Sequence, residues 1–518
     1  MAIRLVFKRE WLIGLVSFLA WSLVFGVIYA QSPLYTSNQN AYFLHGLAQA
    51  GFGNLSHDWL ATRQESMPVF SWLVYFTYTI FHSKAPFYFY YVLLMGVYLF
   101  SMYGIMDLFF DLRKSKTRTL LFLALFLAAH SAALRFIFSR LVSADSTFLL
   151  EGGVAGQRIL GQVFQPSTFG VLLVLSIYLF LRKQHFWSLV PIAVAIYFHP
   201  VYLLGGGLLT LAYMWIIFRT EHNLKRALLL GTASLLLVAP ALIYTIFVFS
   251  DPLPKLAQEA LDILVNFRNP QHALVSSWLN WTVLVQSLVL LIGLFIVRKT
   301  KLFTILLIVT SGMLILTIIQ ILTANQWLAL IFPWRVSVLL VPMGTTIVIA
   351  WCVTKFLDLI KQPLRTERWV ALFSLLVIAG LIIVGALRFQ IESARQLADP
   401  ARPMMNYVAA HNSNTDLYMV PSKMEDFRLV TGVPVLVDFK SAPDRDADVM
   451  EWYDRLQWIS WFYNGNDFPC KALNDIAARY GVTHVVVERH DTHTVCRSLQ
   501  IVYQDDSYRI YAFPTQSQ

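Results

Sequence analysis

Charge is what this sequence has least of. Only 14% of its 518 residues are Asp, Glu, Lys or Arg, and 57% are hydrophobic. An average soluble protein carries about 25% charged residues. No soluble core hides that much apolar surface, so a water-soluble enzyme is excluded for most of the chain. Cysteine is scarce as well. Three cysteines leave no room for a disulfide scaffold or a cysteine-ligated zinc site of the usual kind. There is no Gly-rich phosphate loop before a helix, no HExxH, no clustered set of metal ligands, no internal repeat and no low-complexity tract. These absences argue against a nucleotide-driven pump, and no cofactor is expected; a divalent metal is not indicated. Aromatic residues are plentiful at 15%, which excludes disorder. The class that remains is a polytopic membrane protein.

The formal charge of +10 is not a nucleic-acid signature, because its distribution is uneven. Residues 388–518 hold 13 Lys+Arg and 17 Asp+Glu, whereas residues 1–387 hold 27 and 13. The basic residues of the larger part sit in short clusters between apolar runs. About eleven spans are expected, at 11–30, 87–110, 119–139, 164–181, 187–199, 201–218, 227–249, 277–297, 302–323, 337–356 and 369–387. The first run is longer than a signal-peptide core and lacks a clear cleavage site, so it reads as an uncleaved span with a cytoplasmic N-terminus. With that orientation, 19 basic residues of the membrane part face the cytoplasm and 8 the other side, as the positive-inside rule requires. An odd number of spans places the tail outside the cytoplasm.

Two stretches strain the count: 67–82 is too short to cross, and 187–218 is too short for two full spans. Residues 67–82 read as an amphipathic helix in the membrane interface. Residues 187–218 are basic at both ends and broken by His199-Pro200, so they read as a short hairpin with His199 at its tip. The expected domains are therefore a transmembrane part, 1–387, with a long first outer loop at 31–86, and a small soluble α/β domain, 388–518. In the latter, strands are expected at 417–421, 433–439 and 484–488, with a strand pair over 499–513 around Asp505-Asp506-Ser507. Helices are expected at 448–463 and 470–480, the second capped by Gly481. Cys470 and Cys496 lie in a compartment that permits a disulfide; two unpaired thiols are the alternative.

The polar residues of the outer loops are few. The first loop has two acids, Asp58 and Glu65. The second, 140–163, has Asp145, Glu151 and Arg158. A later one, 250–276, has Asp251, Lys255, Arg268 and His272, and Arg335 follows Phe332-Pro333-Trp334 before the tenth span. Within the first loop three elements stand in order: Asn38-Gln39-Asn40-Ala41-Tyr42, His57-Asp58-Trp59-Leu60 and Met67-Pro68-Val69-Phe70-Ser71-Trp72. In position and order these resemble an acidic pair with x-x-Tyr, a Gly-Asp-Trp-like turn and a Pro-aromatic amphipathic segment. Those elements occur in GT-C membrane glycosyltransferases of the lipid A aminoarabinose transferase and protein mannosyltransferase type. The local motifs cover about forty residues; over 1–387 the resemblance is architectural.

The resemblance implies a GT-C-like fold and an inverting transfer of sugar from a polyprenyl-phosphate donor to a lipid, glycan or protein acceptor. The reaction would take place on the outer face of a membrane, the bacterial inner membrane being the expected site. One departure matters. The family's acidic pair falls on the amides Asn38 and Gln39, and an amide is no general base. The catalytic acid is then sought at Asp58, Asp145 or Glu151. The substrate-binding set is Asn38, Gln39, Tyr42, His199, Arg268, His272 and Arg335, with Arg335 the first candidate for the donor phosphate. Each has a plainer alternative: a helix cap for Asp58 and Asp145, a loop cap or turn for Asn38 and Gln39, the aromatic belt for Tyr42, the cap of a proline-broken helix for His199, a solvated loop for Glu151, Arg268 and His272, and an interfacial anchor for Arg335. The rival function is a lipid-binding, flipping or scaffold protein that keeps the shape without its base. A secondary transporter is disfavoured by the lack of an inverted repeat and the few charges within spans.

Overall fold

The computed structural model describes residues 2–249, 254–359, 363–464, 469–490, 496 and 499–513. Asp251 lies outside the described residues. The chain divides into two compact units. The first comprises Met1–Gln31, Phe87–Tyr244 and Asn269–Gln390; the second comprises Ser32–Pro86, Thr245–Arg268 and Ile391–Gln518. In this division the first outer loop and a later segment group with the tail rather than with the spans.

The chain is a polytopic membrane protein. Among the described residues, seven helices are long and apolar enough to cross a bilayer, from Trp11–Tyr29 to Glu367–Leu397. The pair Lys116–Ala129 and Ala132–Leu141, bent by 47°, makes an eighth if taken as one span. Ser131 accepts from Leu134 N and restarts the helix after the bend. The three remaining expected spans are apolar helices of lesser length: Pro166–Leu181, Leu189–Phe198 and Trp281–Ile296. At 1.5 Å per residue each falls short of a ~30 Å hydrocarbon core.

The outer faces of these helices show why water is excluded as their solvent. The apolar window of Leu224–Phe249 is only 11% buried within the protein, with Leu236 68% and Phe247 80% exposed. Inside the unit, close approach depends on small residues. A side chain at Gly293 would meet Gly344 Cα at 2.9 Å, so these two glycines let Trp281–Ile296 and Ser337–Asp358 touch by backbone. The expected hairpin is present. Leu189–Phe198 ends at His199, whose backbone is extended, and Tyr202–Glu221 returns.

In the second unit, Pro68–Phe81 is amphipathic as anticipated. Phe70, Ser71, Val74 and Thr77 are buried, while Trp72, Phe76 and Ile80, spaced by four, are exposed. A four-stranded sheet comprises β1 (Tyr418–Met419), β2 (His484–Glu488), β3 (Gln500–Gln504) and β4 (Tyr508–Ala512), in the order β1-β2-β4-β3. β1 runs parallel to β2; β4 is antiparallel to both β2 and β3. Asp505 Oδ1 accepts from Ser507 N and Tyr508 N, both at 2.7 Å, and fixes the β3–β4 turn. Asp446–Asn464 and Pro469–Tyr480 are the two expected helices. Gly481, with φ +74°, terminates the second where only glycine is unstrained. Cys470 and Cys496 form a disulfide.

One expected strand is corrected. Over 433–439 only a single parallel bridge, Tyr418 to Val435, is made. Pro434 has no N–H to extend the ladder, and Asp438 turns to accept from Ser441 N at 2.7 Å. The first loop is tied into the tail at Asn54, whose N donates to Gly432 O at 2.7 Å. A Cβ on Gly53 would lie 2.3 Å from that same oxygen.

Candidate active site

In the first unit, the bend at His130 and Ser131 sets Arg135 in the first helical turn beyond it. The side chain is 4% exposed. Its Nη1 donates to Glu151 Oε1 at 3.1 Å and to His130 O at 3.1 Å; its Nη2 donates to Tyr29 O. The guanidinium also lies 4.1 Å from the centre of the Tyr29 ring. Arg158 stacks at 3.9 Å on Phe148, so two cations converge on one carboxylate. The Arg135–Glu151 contact is one-pointed rather than a two-bond fork. Arg135 Nε is buried with no hydrogen-bond partner among the described residues, and the Tyr29 hydroxyl stands beside the Glu151 carboxyl as a second polar neighbour. Burial raises the Glu151 carboxyl to about 7 against the opposing pull of Arg135. That is the range in which a carboxylate serves as a general base near neutral pH.

A second constellation lies at the corner before Ser337–Asp358. Phe332 adopts φ +50° and Pro333–Val336 makes one tight turn. This turn buries Trp334 and leaves Arg335 half-buried. Arg335 Nη2 lies 3.3 Å from His199 Nε2. Trp334 Nε1 donates to His272 O at 2.8 Å, and His272 Nδ1 meets Ala155 O at 2.8 Å. The two constellations share a backbone seam. Val154 N donates to Ser337 Oγ at 2.9 Å, and a Cβ on Gly153 would meet that oxygen at 2.4 Å. The loop carrying Glu151 is therefore docked on the corner carrying Arg335.

The remaining anticipated residues fall elsewhere. Asp145 is exposed beside Asn280, whose Nδ2 is 3.4 Å from its Oδ2. Asp58 belongs to the second unit and is fully buried. Its Oδ2 accepts from Arg428 Nε at 2.7 Å and Val435 N at 3.1 Å, and its Oδ1 from Leu60 N at 3.0 Å. Arg428 Nη1 also donates to Asp438. Both oxygens of Asp58 are thus consumed inside the fold, and the free base expected there is replaced by an ion-paired anchor. Gln39 is buried and its Oε1 accepts from Tyr35 N at 2.9 Å, while Asn38 precedes the short helix Gln39–Tyr42 without a side-chain cap hydrogen bond. Arg268 donates through Nη2 to Lys440 O at 2.8 Å and lies 5.1 Å from the Phe439 ring centre. Burial lowers its pKa, and Asp438, Tyr42 and Glu425 act in the other direction. Arg268 and Tyr42 are thereby neighbours in the second unit.

Arg135 was not among the anticipated site residues. A signal for it existed, since an ionisable residue inside an apolar run is a functional candidate by default. Arg428 and Asp438 carried no such signal, because they stand in an ordinary polar sequence.

The element order is a first span, a long loop with an amphipathic helix, further spans and an α/β tail. A family model described as a domain of unknown function, DUF6798, matches residues 399–459. Among solved structures the chain is similar to the crystal structure of ArnT from Cupriavidus metallidurans bound to undecaprenyl phosphate. The identity is 13%, the TM-score is 0.45, and the match covers 97% of this chain and 98% of that one. A likeness of this strength concerns the course of the chain and assigns no residue a role. No curated protein matches the sequence.

Proposed function

We propose that the protein is a glycosyltransferase that moves a sugar from a polyprenyl-phosphate donor to a lipid, glycan or protein acceptor. The reaction takes place on the outer face of the bacterial inner membrane, with the N-terminus cytoplasmic and the tail outside. The observation that supports this reading is the buried Arg135–Glu151 pair, whose carboxyl is raised by burial to about 7. Glu151 takes the acceptor hydroxyl proton as the acceptor oxygen attacks the anomeric carbon. The bond from that carbon to the phosphate oxygen breaks with inversion, and its electron pair leaves on the phosphate. Arg335 neutralises the departing phosphate and His199 adds a hydrogen bond. Arg135 holds Glu151 in place as a positioning residue.

The rival reading is a lipid-binding or scaffold protein without chemistry. It is favoured by the amides at Asn38 and Gln39 and by the engagement of Asp58 within the fold. Purified full-length protein supplied with a polyprenyl-phosphate sugar and a membrane-lipid acceptor fraction decides between them. Release of free polyprenyl phosphate that is lost in Glu151→Gln, with thermal stability retained, supports the transferase. Donor binding without release in the wild type supports the scaffold.

A further inference from the structure

The helix Asp446–Asn464 buries Trp452, Leu456, Ile459 and Phe462 in the core of the tail domain. That stripe follows the helical period. Trp461 stands off it and is 41% exposed. Trp458 is half-buried beside it, with the two ring centres 5.4 Å apart and the planes inclined by 55°. Between residues 399 and 513, Trp461 and Ile501 are the large apolar side chains that stand more than a third exposed, among the described residues. The domain is therefore well closed, and this tryptophan pair is a local exception to it.

Polar groups border the pair. Asp454, one turn before Trp458, accepts from Arg479 Nη2 and from the Tyr480 hydroxyl, each at 2.7 Å. Both bonds fall on Oδ2, so Oδ1 remains an acceptor. The side chains of Asp454 and Arg479 are 42% and 51% exposed, and the guanidinium lies 5.8 Å from the centre of the Trp458 ring. Gln457 and Asn464, four residues before and three after Trp461, are exposed as its neighbours on the helix surface.

This combination suits a neutral sugar ring. One side of a pyranose presents C–H bonds, whose partial positive charge complements the negative face of an indole. Its rim presents adjacent hydroxyls, each both donor and acceptor, which a guanidinium and a carboxylate serve together. Charge disfavours an anionic partner. The helix carries four acids and one arginine, and residues 388–518 hold 17 acids against 13 bases, so an anionic glycan or lipid surface is repelled. A bilayer would also have to take up the Asp454–Arg479 ion pair, which is costly. A protein interface of standard size needs an apolar centre larger than two rings, and Gln457, Ser460 and Asn464 around Trp461 are polar.

We propose that Trp458, Trp461, Asp454 and Arg479 form a binding site for a neutral glycan of hexopyranose units, stacked on the indoles and hydrogen-bonded by the ion pair. The site lies in the tail domain, shares no residue with the Glu151 and Arg335 constellations, and does not rest on the transferase reading, because it requires binding and no turnover.

The test is calorimetric titration of the full-length protein, held in a detergent without a sugar headgroup, with maltohexaose, chitohexaose and mannohexaose as separate probes. The wild type binds at least one of the three. Trp461→Ala weakens that binding roughly tenfold, as loss of a stacked aromatic face implies. Trp461→Tyr recovers part of it, and Trp461→Leu does not, since leucine restores apolar area but no ring face. Arg479→Gln weakens it with both indoles in place. Binding of none of the three probes overturns the proposal, as does unchanged binding in Trp461→Ala. Full recovery in Trp461→Leu also overturns it and marks the patch as a plain apolar contact for lipid or protein. Trp461 lies outside the core, and thermal unfolding of each variant controls for loss of fold.

Discussion

Arg335 and His199, 136 residues apart, meet at 3.3 Å between Nη2 and Nε2. Arginine has no acceptor, so His199 Nε2 accepts and its proton resides on Nδ1. That Nδ1 is buried with no partner among the described residues. The pair therefore fixes a cation at this corner and holds the His199 ring in one tautomer. Arg335→Ala is expected to weaken polyprenyl-phosphate binding by about 1.5–3 kcal/mol, the worth of a hydrogen bond to a charged group. Arg335→Lys is expected to recover it only in part, because a point charge cannot reproduce the planar fork. Titration of the purified protein with the lipid phosphate checks both.

Glu151 should dominate the acidic side of the pH profile. Its carboxyl is raised to about 7, so the basic form appears only as pH rises through that value, and turnover rises with it. Stability runs the other way. Between the ordinary glutamate value and about 7 the folded state holds a proton that the unfolded state releases. Stability therefore falls as pH rises through this window. Glu151→Gln removes both dependences. Rate profiles and thermal unfolding between pH 5 and 8 report them, and an unchanged acidic limb in the variant would remove Glu151 from the reaction.

The triad of Asp58, Arg428 and Asp438 is fully desolvated, with side-chain exposures of 2% or less. Arg428→Met leaves two buried carboxylates without a cation, and a loss of about 3–5 kcal/mol is expected. Asp58→Asn keeps the shape and should cost less. Any activity lost in Asp58→Asn should scale with lost folded protein, measured as turnover per folded molecule after thermal or denaturant titration. A specific fall in turnover at full stability would return Asp58 to the candidate bases.

Reduction of the Cys470–Cys496 disulfide opens a 26-residue separation. Chain entropy then favours the unfolded state by about 3 kcal/mol. Cys470→Ser is expected to lower the unfolding temperature, and a reducing agent should lower that of the wild type but not that of the variant.

Much of the molecule was legible without coordinates, and the physical reason is local. Hydrophobic run length determined the spans, because a bilayer accepts only helices of a set length. The break at His199-Pro200, the amphipathic helix after Met67 and the cap at Gly481 follow from proline, period and glycine, each acting within a few residues. Glu151, His199 and Arg335 were singled out as polar groups at the ends of apolar runs. Only the tertiary structure brought His199 to Arg335 and Arg135 to Glu151. It also turned Asp58 inward to Arg428, 370 residues away. These outcomes depend on which partner meets a buried charge, and that is a property of packing. In sequence Asp58 and Glu151 are alike as loop acids. The fold closes one inside a three-residue ion cluster and sets the other, by burial, near neutrality beside a single arginine bond.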